Sequence, residues 1–376
     1  MDPLRVGIVG ASPDRGWAVR AHVPALQALE DYRITAVGTS RADSAQRARQ
    51  LFGAAHAFTD PRELAEHPEV DLVAITVKVP AHAELIRAAV AAGKHVYCEW
   101  PLALHAAEAE SLARLAEDAG VRHVVGLQTR YAPAVVRARR LLAEGFVGEP
   151  VSVTVYCARQ MGAGTQVPGW AAYTLDRSTG AGVVEVVGGH TLDAVEYLIG
   201  GFTDLSARLA VSHPQAVIED TGETIEVTSP NHLLLDAATA QGVVISAHIH
   251  DSKVTNGRTR IEISGTAGDL AIVSGANSPG GISLSDLRLV GSRGGGEWQP
   301  LGGDDPLADI SLGTEVGNVA RLYAAVAHDV RTDTATVPTF HDGVRVHRLL
   351  DTIRRSADTA TRMPIPRARV CASGQT

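Results

Sequence analysis

Over residues 1–128 the chain alternates short apolar runs with helically spaced ones, and no other feature restricts its fold as tightly. "RVGIVGA" reads as a buried strand and "AVRAHVPALQAL" as a helix; "RITAVGTS" and "SAQRARQLF" repeat the pair. "VDLVAITV", "AELIRAAVAAG", "HVYCE", "AAEAESLARLAEDAG" and "HVVGLQTR" continue the alternation. Such a pattern predicts a parallel sheet covered by helices on both faces, with ligands bound at the carboxyl ends of the strands. The first strand-to-helix turn, "GASPDRGW", has glycines near both ends, but Ser12 stands where G-x-G-x-x-G has its second glycine. Placed between a strand and a helix, the turn is expected to hold a dinucleotide pyrophosphate through Gly10, Ala11, Ser12, Arg15 and Trp17.

The second strand ends in Thr39-Ser40-Arg41, where an enzyme preferring NAD carries Asp or Glu for the ribose hydroxyl. Hydroxyls and a guanidinium suit a 2′-phosphate, so NADP(H) is the expected cofactor and NAD(H) the alternative. The competing reading of Ser40 is a helix cap.

From Pro150 the pattern changes. "PVSVTVYCA" alternates as a strand, "HTLDAVEYLIG" is helical, and six further strand-like runs follow between Gly, Asn and Asp turns. They predict a mainly antiparallel open sheet. "GSRGGGE" reads as a surface loop. The fold class is therefore α/β plus α+β. Expected domains are 1–128 for the dinucleotide, 129–340 for substrate and self-association, and 341–376 for a C-terminal helix and tail. The tail beyond Arg362 is expected to lie poorly ordered or to drape over the first domain.

The net charge of −8 argues against nucleic acid as a partner, and no apolar run is long enough to span a bilayer. Met1 to Arg5 run directly into a strand with no leader pattern, so a cytoplasmic protein is expected. Cys98, Cys157 and Cys371 are too scattered for a disulfide framework or a zinc site. His248 and His250 share a strand face, but no ligand pattern accompanies them, and no metal is expected.

The segments "GKHVYCEWPLA", "VKVPAHAEL", "LQTRYAP" and "GGHTLDAVEYLIG", in this order, resemble the glucose–fructose oxidoreductase/inositol dehydrogenase family, and within it the subgroup of the yeast galactose-pathway repressor. The resemblance implies hydride exchange between a nicotinamide and a sugar, cyclitol or keto-sugar, with a side chain moving the hydroxyl proton. It implies cofactor contacts from Val77, Lys78, Pro80, His82, Glu99, Trp100 and Gln128, and substrate contacts from Trp100, Arg130, Trp170, Tyr173 and His190. The family's usual lysine is replaced by Trp100 and its usual aspartate by Val186, whereas His190 and Asp193 remain. An indole N–H cannot accept a proton, so Trp100 either stacks on a ligand ring or fills the domain junction. Acid/base work then falls to His190 oriented by Asp193, or to Lys78 if burial lowers its pKa. Trp170 and Tyr173 either touch a sugar or anchor their loop. The expectation is an NADP(H)-dependent oxidoreductase for a small polyhydroxylated substrate, forming a homodimer or homotetramer. The alternative is a cofactor-binding regulator without turnover.

Overall fold

The structure is a computed structural model and describes residues 2–161, 165–302, 305, 307–308, 310 and 312–366. Strands β1 (Leu4–Val9), β2 (Tyr32–Gly38), β3 (His56–Phe58), β4 (Leu72–Ile75), β5 (His95–Glu99) and β6 (His123–Gly126) form one sheet ordered β3-β2-β1-β4-β5-β6. All its pairings are parallel. Helices α1 (Val23–Gln27), α2 (Ala42–Phe52), α3 (Pro61–Glu66), α4 (His82–Ala91) and α5 (Ala106–Asp118) connect the strands. Burial of the strands on both faces explains why β4 reads as a run of apolar residues without alternation. The strand order reverses between β1 and β4, which opens a crevice outside their carboxyl ends.

After α6 (Pro133–Ala143), a second sheet is built from β7 (Pro150–Ala158), β9 (Phe202–Ala210), β12 (His232–Thr239), β13 (Val244–His250), β14 (Arg258–Gly265), β15 (Gly268–Ser274), β16 (Leu287–Arg293), β17 (Gln299–Pro300) and β18 (Met363–Pro364). Its order is β17-β16-β15-β14-β7-β13-β12-β9-β18, antiparallel except where β7 meets β13. A small sheet of β8 (Gln166–Val167), β10 (Gln215–Ile218) and β11 (Thr224–Glu226) stands beside it. Along β7, Val153, Val155 and Cys157 point into the core while Ser152 and Thr154 face out. The outer face leaves Leu234 and Val244 exposed.

Helix α7 (Gly189–Ile199) continues a π-type turn at Val184–Gly188. Helix α8 (Thr314–Thr332) buries Val319, Leu322, Tyr323 and Val326 in the same cluster as Val6, Ile8 and Tyr97. Residues 129–340 therefore do not pack as one body, because α8 returns to the first sheet. Helix α9 (Phe340–Thr359) begins with a capping box between Thr339 and Asp342 and packs against both α5 and β9. Two expectations need correction. In "GSRGGGE" the first three residues, 291–293, end β16 while 294–297 form the expected exposed turn, and Met363–Pro364 extend the second sheet along β9 instead of draping over the first domain. Cys371 and the rest of the tail from 367 lie outside the described residues. No helix among the described residues is long and apolar enough to cross a membrane.

Candidate active site

Parallel pairing of β1, β4, β5 and β6 brings Gly10, Val77, Glu99 and Gln128 to one edge of the sheet. Gly10 adopts φ +93°, and a Cβ there would meet Val77 Cγ1 at 2.7 Å and Thr76 Oγ1 at 2.9 Å. Only glycine fits that turn. The amides of Gly10 and Ala11 donate to the Gly38 carbonyl, and that of Ser12 to the Gly10 carbonyl. These three N–H groups are thus engaged within the turn, and Ala11 is buried. Arg15 is exposed, while the buried Trp17 Nε1 has no partner. At the end of β2, Ser40 and Arg41 are exposed. No side chain caps α2, so Ser40 does not act as its cap. Thr39 Oγ1 donates to the Arg41 carbonyl at 2.9 Å and shapes that corner.

Glu99 is anchored from below. His22 is fully buried, with Nε2 2.9 Å from Glu99 Oε1 and Nδ1 2.7 Å from the Tyr323 hydroxyl. A carboxylate only accepts, so His22 donates to Glu99 through Nε2–H, and its Nδ1 pairs with the Tyr323 hydroxyl. The Glu99 side chain also lies over Gly126, where a Cβ would come within 2.9 Å of its carboxyl carbon. Sequence reasoning missed both supports, and Tyr323 lies 301 residues from His22, with no local pattern linking them.

Trp100 fills the domain junction. Its indole is 5% exposed, donates from Nε1 to the Glu185 carbonyl at 2.9 Å and packs against His347 with ring centroids 4.6 Å apart. The missing side chain of Gly189 makes room for it, since a Cβ there would sit 2.6 Å from the indole carbons. Neither face is therefore open for stacking on nicotinamide or sugar. Glu185, one position from the family's aspartate, is turned away and bonded by Arg354 at 2.8 Å. His347 beneath the indole has its pKa pushed down to about 3 by burial, with the Arg354 charge adding to the effect.

His190 stands near the start of α7 and is 3% exposed, with its Nδ1 unpartnered. Burial lowers its pKa, opposed by the nearby Glu99 charge and then by Asp193. Asp193 does not orient the ring. Its carboxylate is fully buried and accepts from Arg130 at 2.7 and 2.9 Å and from Arg345. Arg130 also donates to Asp342 at 2.8 Å, and Arg345 to Glu196. Arg130 is thus committed through Nε and Nη2 to this ionic cluster. The two guanidinium groups outcompete the imidazole for the carboxylate because charge-assisted bonds are the stronger ones.

Lys78 is exposed and not buried as the expectation required. Its ammonium lies 4.0 Å from the centre of the Tyr173 ring, so these two residues meet at the mouth of the crevice. Pro80 is exposed beside them, and Trp170 is 65% exposed on the same loop as Tyr173. His82 is buried, with Nε2 3.0 Å from the Val77 carbonyl oxygen and Nδ1 2.9 Å from that of Pro101. It ties the chain after β4 to the turn after β5. Gln128 is buried with Oε1 unpartnered. The glycine cradle at Gly10 and the orphaned polar atoms of Trp17 and Gln128 fit a dinucleotide along this edge. His248 and His250 lie away from it, stacked with His232 on the second sheet.

Comparison with known proteins agrees with this architecture. Residues 4–127 match the oxidoreductase family with an NAD-binding Rossmann fold, and residues 133–274 match the C-terminal domain of Gal80p. The dehydrogenase aclE of Aspergillus oryzae is 36% identical over 95% of this chain and 96% of its own length. The galactose/lactose metabolism regulatory protein GAL80 of Saccharomyces cerevisiae is 27% identical over 94% of this chain and 92% of its own. A crystal structure of a super-repressor mutant of that regulator superposes with a TM-score of 0.85 at 25% identity, covering 96% of this chain and 98% of the other. Levoglucosan dehydrogenase, solved in complex with NADH and levoglucosan, shares the fold with a TM-score of 0.83 at 22% identity, covering 97% of this chain and all of the other.

Proposed function

Because the chain belongs to the NAD-binding Rossmann-fold oxidoreductase family and carries a Gal80p-type C-terminal domain, we propose that it moves hydride between NADP(H) and a sugar, cyclitol or keto-sugar, with His190 as the proton partner. The observation that carries this reading is His190 itself. It is a buried imidazole with a free Nδ1, within electrostatic reach of the anchored Glu99 and at the edge where Gly10 forms its cradle. When bound, the nicotinamide cofactor supplies the hydride acceptor or donor. Glu99, held by His22, orients ligand groups at the end of β5. Trp100 closes the floor of the junction against water. A pKa below the ordinary imidazole value keeps His190 neutral at pH 7, the form that accepts a carbinol proton when the reaction runs as oxidation. Tyr173, Trp170 and Lys78 line the entrance and suit a polyhydroxylated ring.

Ser40 and Arg41 are offered to the 2′-phosphate, and no acidic residue occupies positions 39–41. NADPH is expected to bind more tightly than NADH in a fluorescence titration, and Arg41→Ala to weaken NADPH by about tenfold or more while leaving NADH little changed. Equal or tighter binding of NADH by the unmodified chain would overturn the preference. The same reading takes the protein as cytoplasmic and as a homodimer or homotetramer paired through the open sheet face around Leu234 and Val244. The regulatory alternative rests on Trp100 and Val186, which remove two groups of the usual relay.

A further inference from the structure

At the amino ends of β3 and β4, on the opposite edge of the first sheet from Gly10 and Glu99, three metal-ligating side chains converge. His56 opens the edge strand β3, His67 ends α3, and Glu69 follows two residues later. One ligand atom from each lies within 4.8 Å of the other two, and no other such group occurs among the described residues. The two imidazole rings are 4.0 Å apart, and His56 Nε2 is 2.5 Å from Glu69 Oε2. We propose that His56, His67 and Glu69 bind a divalent transition ion of the zinc class.

The donor set supports that class. Two imidazoles and one carboxylate are borderline ligands that favour zinc over calcium or magnesium, and three protein ligands leave a fourth position for water. Ligand atoms around a tetrahedral ion bonded at about 2.0–2.1 Å stand about 3.3 Å apart, so the His56–Glu69 pair opens by less than about 1 Å. The surrounding structure fixes the backbone that carries them. Thr35 Oγ1 on β2 donates to the Glu69 carbonyl at 2.6 Å, and His56 pairs in register with Ala36 on the same strand. The Glu69 amide donates to His67 Nδ1 at 3.2 Å, a long bond that coordination through that nitrogen would replace. Neighbouring cations are spent elsewhere: Arg5 forks onto Asp71 at 2.6 and 2.9 Å, and Lys94 donates to the His67 and Val70 carbonyls. An ion here would rivet the three-residue edge strand to the loop before β4. It would sit at the other ends of the strands from the candidate active site.

The test titrates chelator-stripped full-length protein with Zn²⁺, and in parallel with Co²⁺, whose visible spectrum reports tetrahedral coordination. One ion per chain is expected, with a rise in melting temperature on adding Zn²⁺. His67→Ala and Glu69→Gln are each expected to weaken binding by about tenfold or more and to abolish that rise. His248→Ala, at the separate imidazole stack on the second sheet, is expected to change neither. Circular dichroism confirms that each variant is folded, and the near-isosteric Glu69→Gln guards against a packing artefact. No binding by the unmodified chain, binding unchanged in both ligand variants, or binding removed by His248→Ala would each overturn the proposal.

Discussion

His190→Ala is expected to lower kcat for alcohol oxidation by about 10²- to 10⁴-fold, the usual range for losing a positioned acid/base group, with the NADPH dissociation constant nearly unchanged. Trp100 cannot exchange a proton, Val186 has replaced the family's aspartate, Lys78 is exposed and held over Tyr173, and both ring nitrogens of the buried His82 face protein groups, the Val77 and Pro101 carbonyls and Cys98 Sγ. That leaves His190 and His347 as buried imidazoles with an unpartnered Nδ1, and His347 lies beneath the Trp100 indole and accepts from the Ala103 amide, so His190 is the candidate. The pH profile carries a second signature. Burial lowers the folded pKa, so the neutral base form is populated throughout the neutral range. The oxidation rate is then level around pH 7 and falls only as pH drops through a value below the ordinary imidazole pKa. A variant that keeps turnover within about threefold, outside the range general acid/base catalysis contributes, would remove His190 from the mechanism.

The second large effect concerns stability. Asp193→Ala is expected to destabilise the fold by about 1.5–3 kcal/mol, read as a lower urea midpoint, because it removes a buried acceptor shared by two guanidinium groups and leaves each with one carboxylate. The carboxylate is the shared acceptor for Arg130 and Arg345, which enter from the turn after β6 and from α9. Its loss unpins α7 from Arg130, which keeps only Asp342, while Arg345 still holds α7 through Glu196. If Asp193 instead oriented His190, the variant would fold with near-normal stability and lose turnover alone. Measuring both quantities on one variant separates the two roles.

Much of the fold was legible because helix and strand periods differ and the first half keeps them in strict alternation. The exceptions are short. β3 has three residues and α3 has six, too few for either period to show. β16 was hidden because its end runs through a glycine-rich stretch that reads as a turn. The candidate site was legible only where it depended on local sequence. Gly10 follows from its turn between a strand and a helix, whereas Glu99 and Gln128 come only with the family resemblance. The fate of Asp193 follows from neither, because spacing places it on the His190 side while arginines 63 and 152 residues away take its carboxylate. Likewise, chemistry alone rules out Trp100 as a base. Its burial depends on the absent side chain of Gly189 and on His347 of α9, which are tertiary facts.

The most direct test of an oxidoreductase as opposed to a silent cofactor-binding protein is label transfer. The protein is incubated with NADPH deuterated at the reactive C4 position and a panel of keto-sugars and cyclitol ketones, and the products are examined by mass spectrometry and NMR. Deuterium on a carbinol carbon of one product, absent with His190→Ala, is the expected result. Saturable NADPH binding with no label transferred to any member of the panel would contradict the account and leave the regulatory reading in its place.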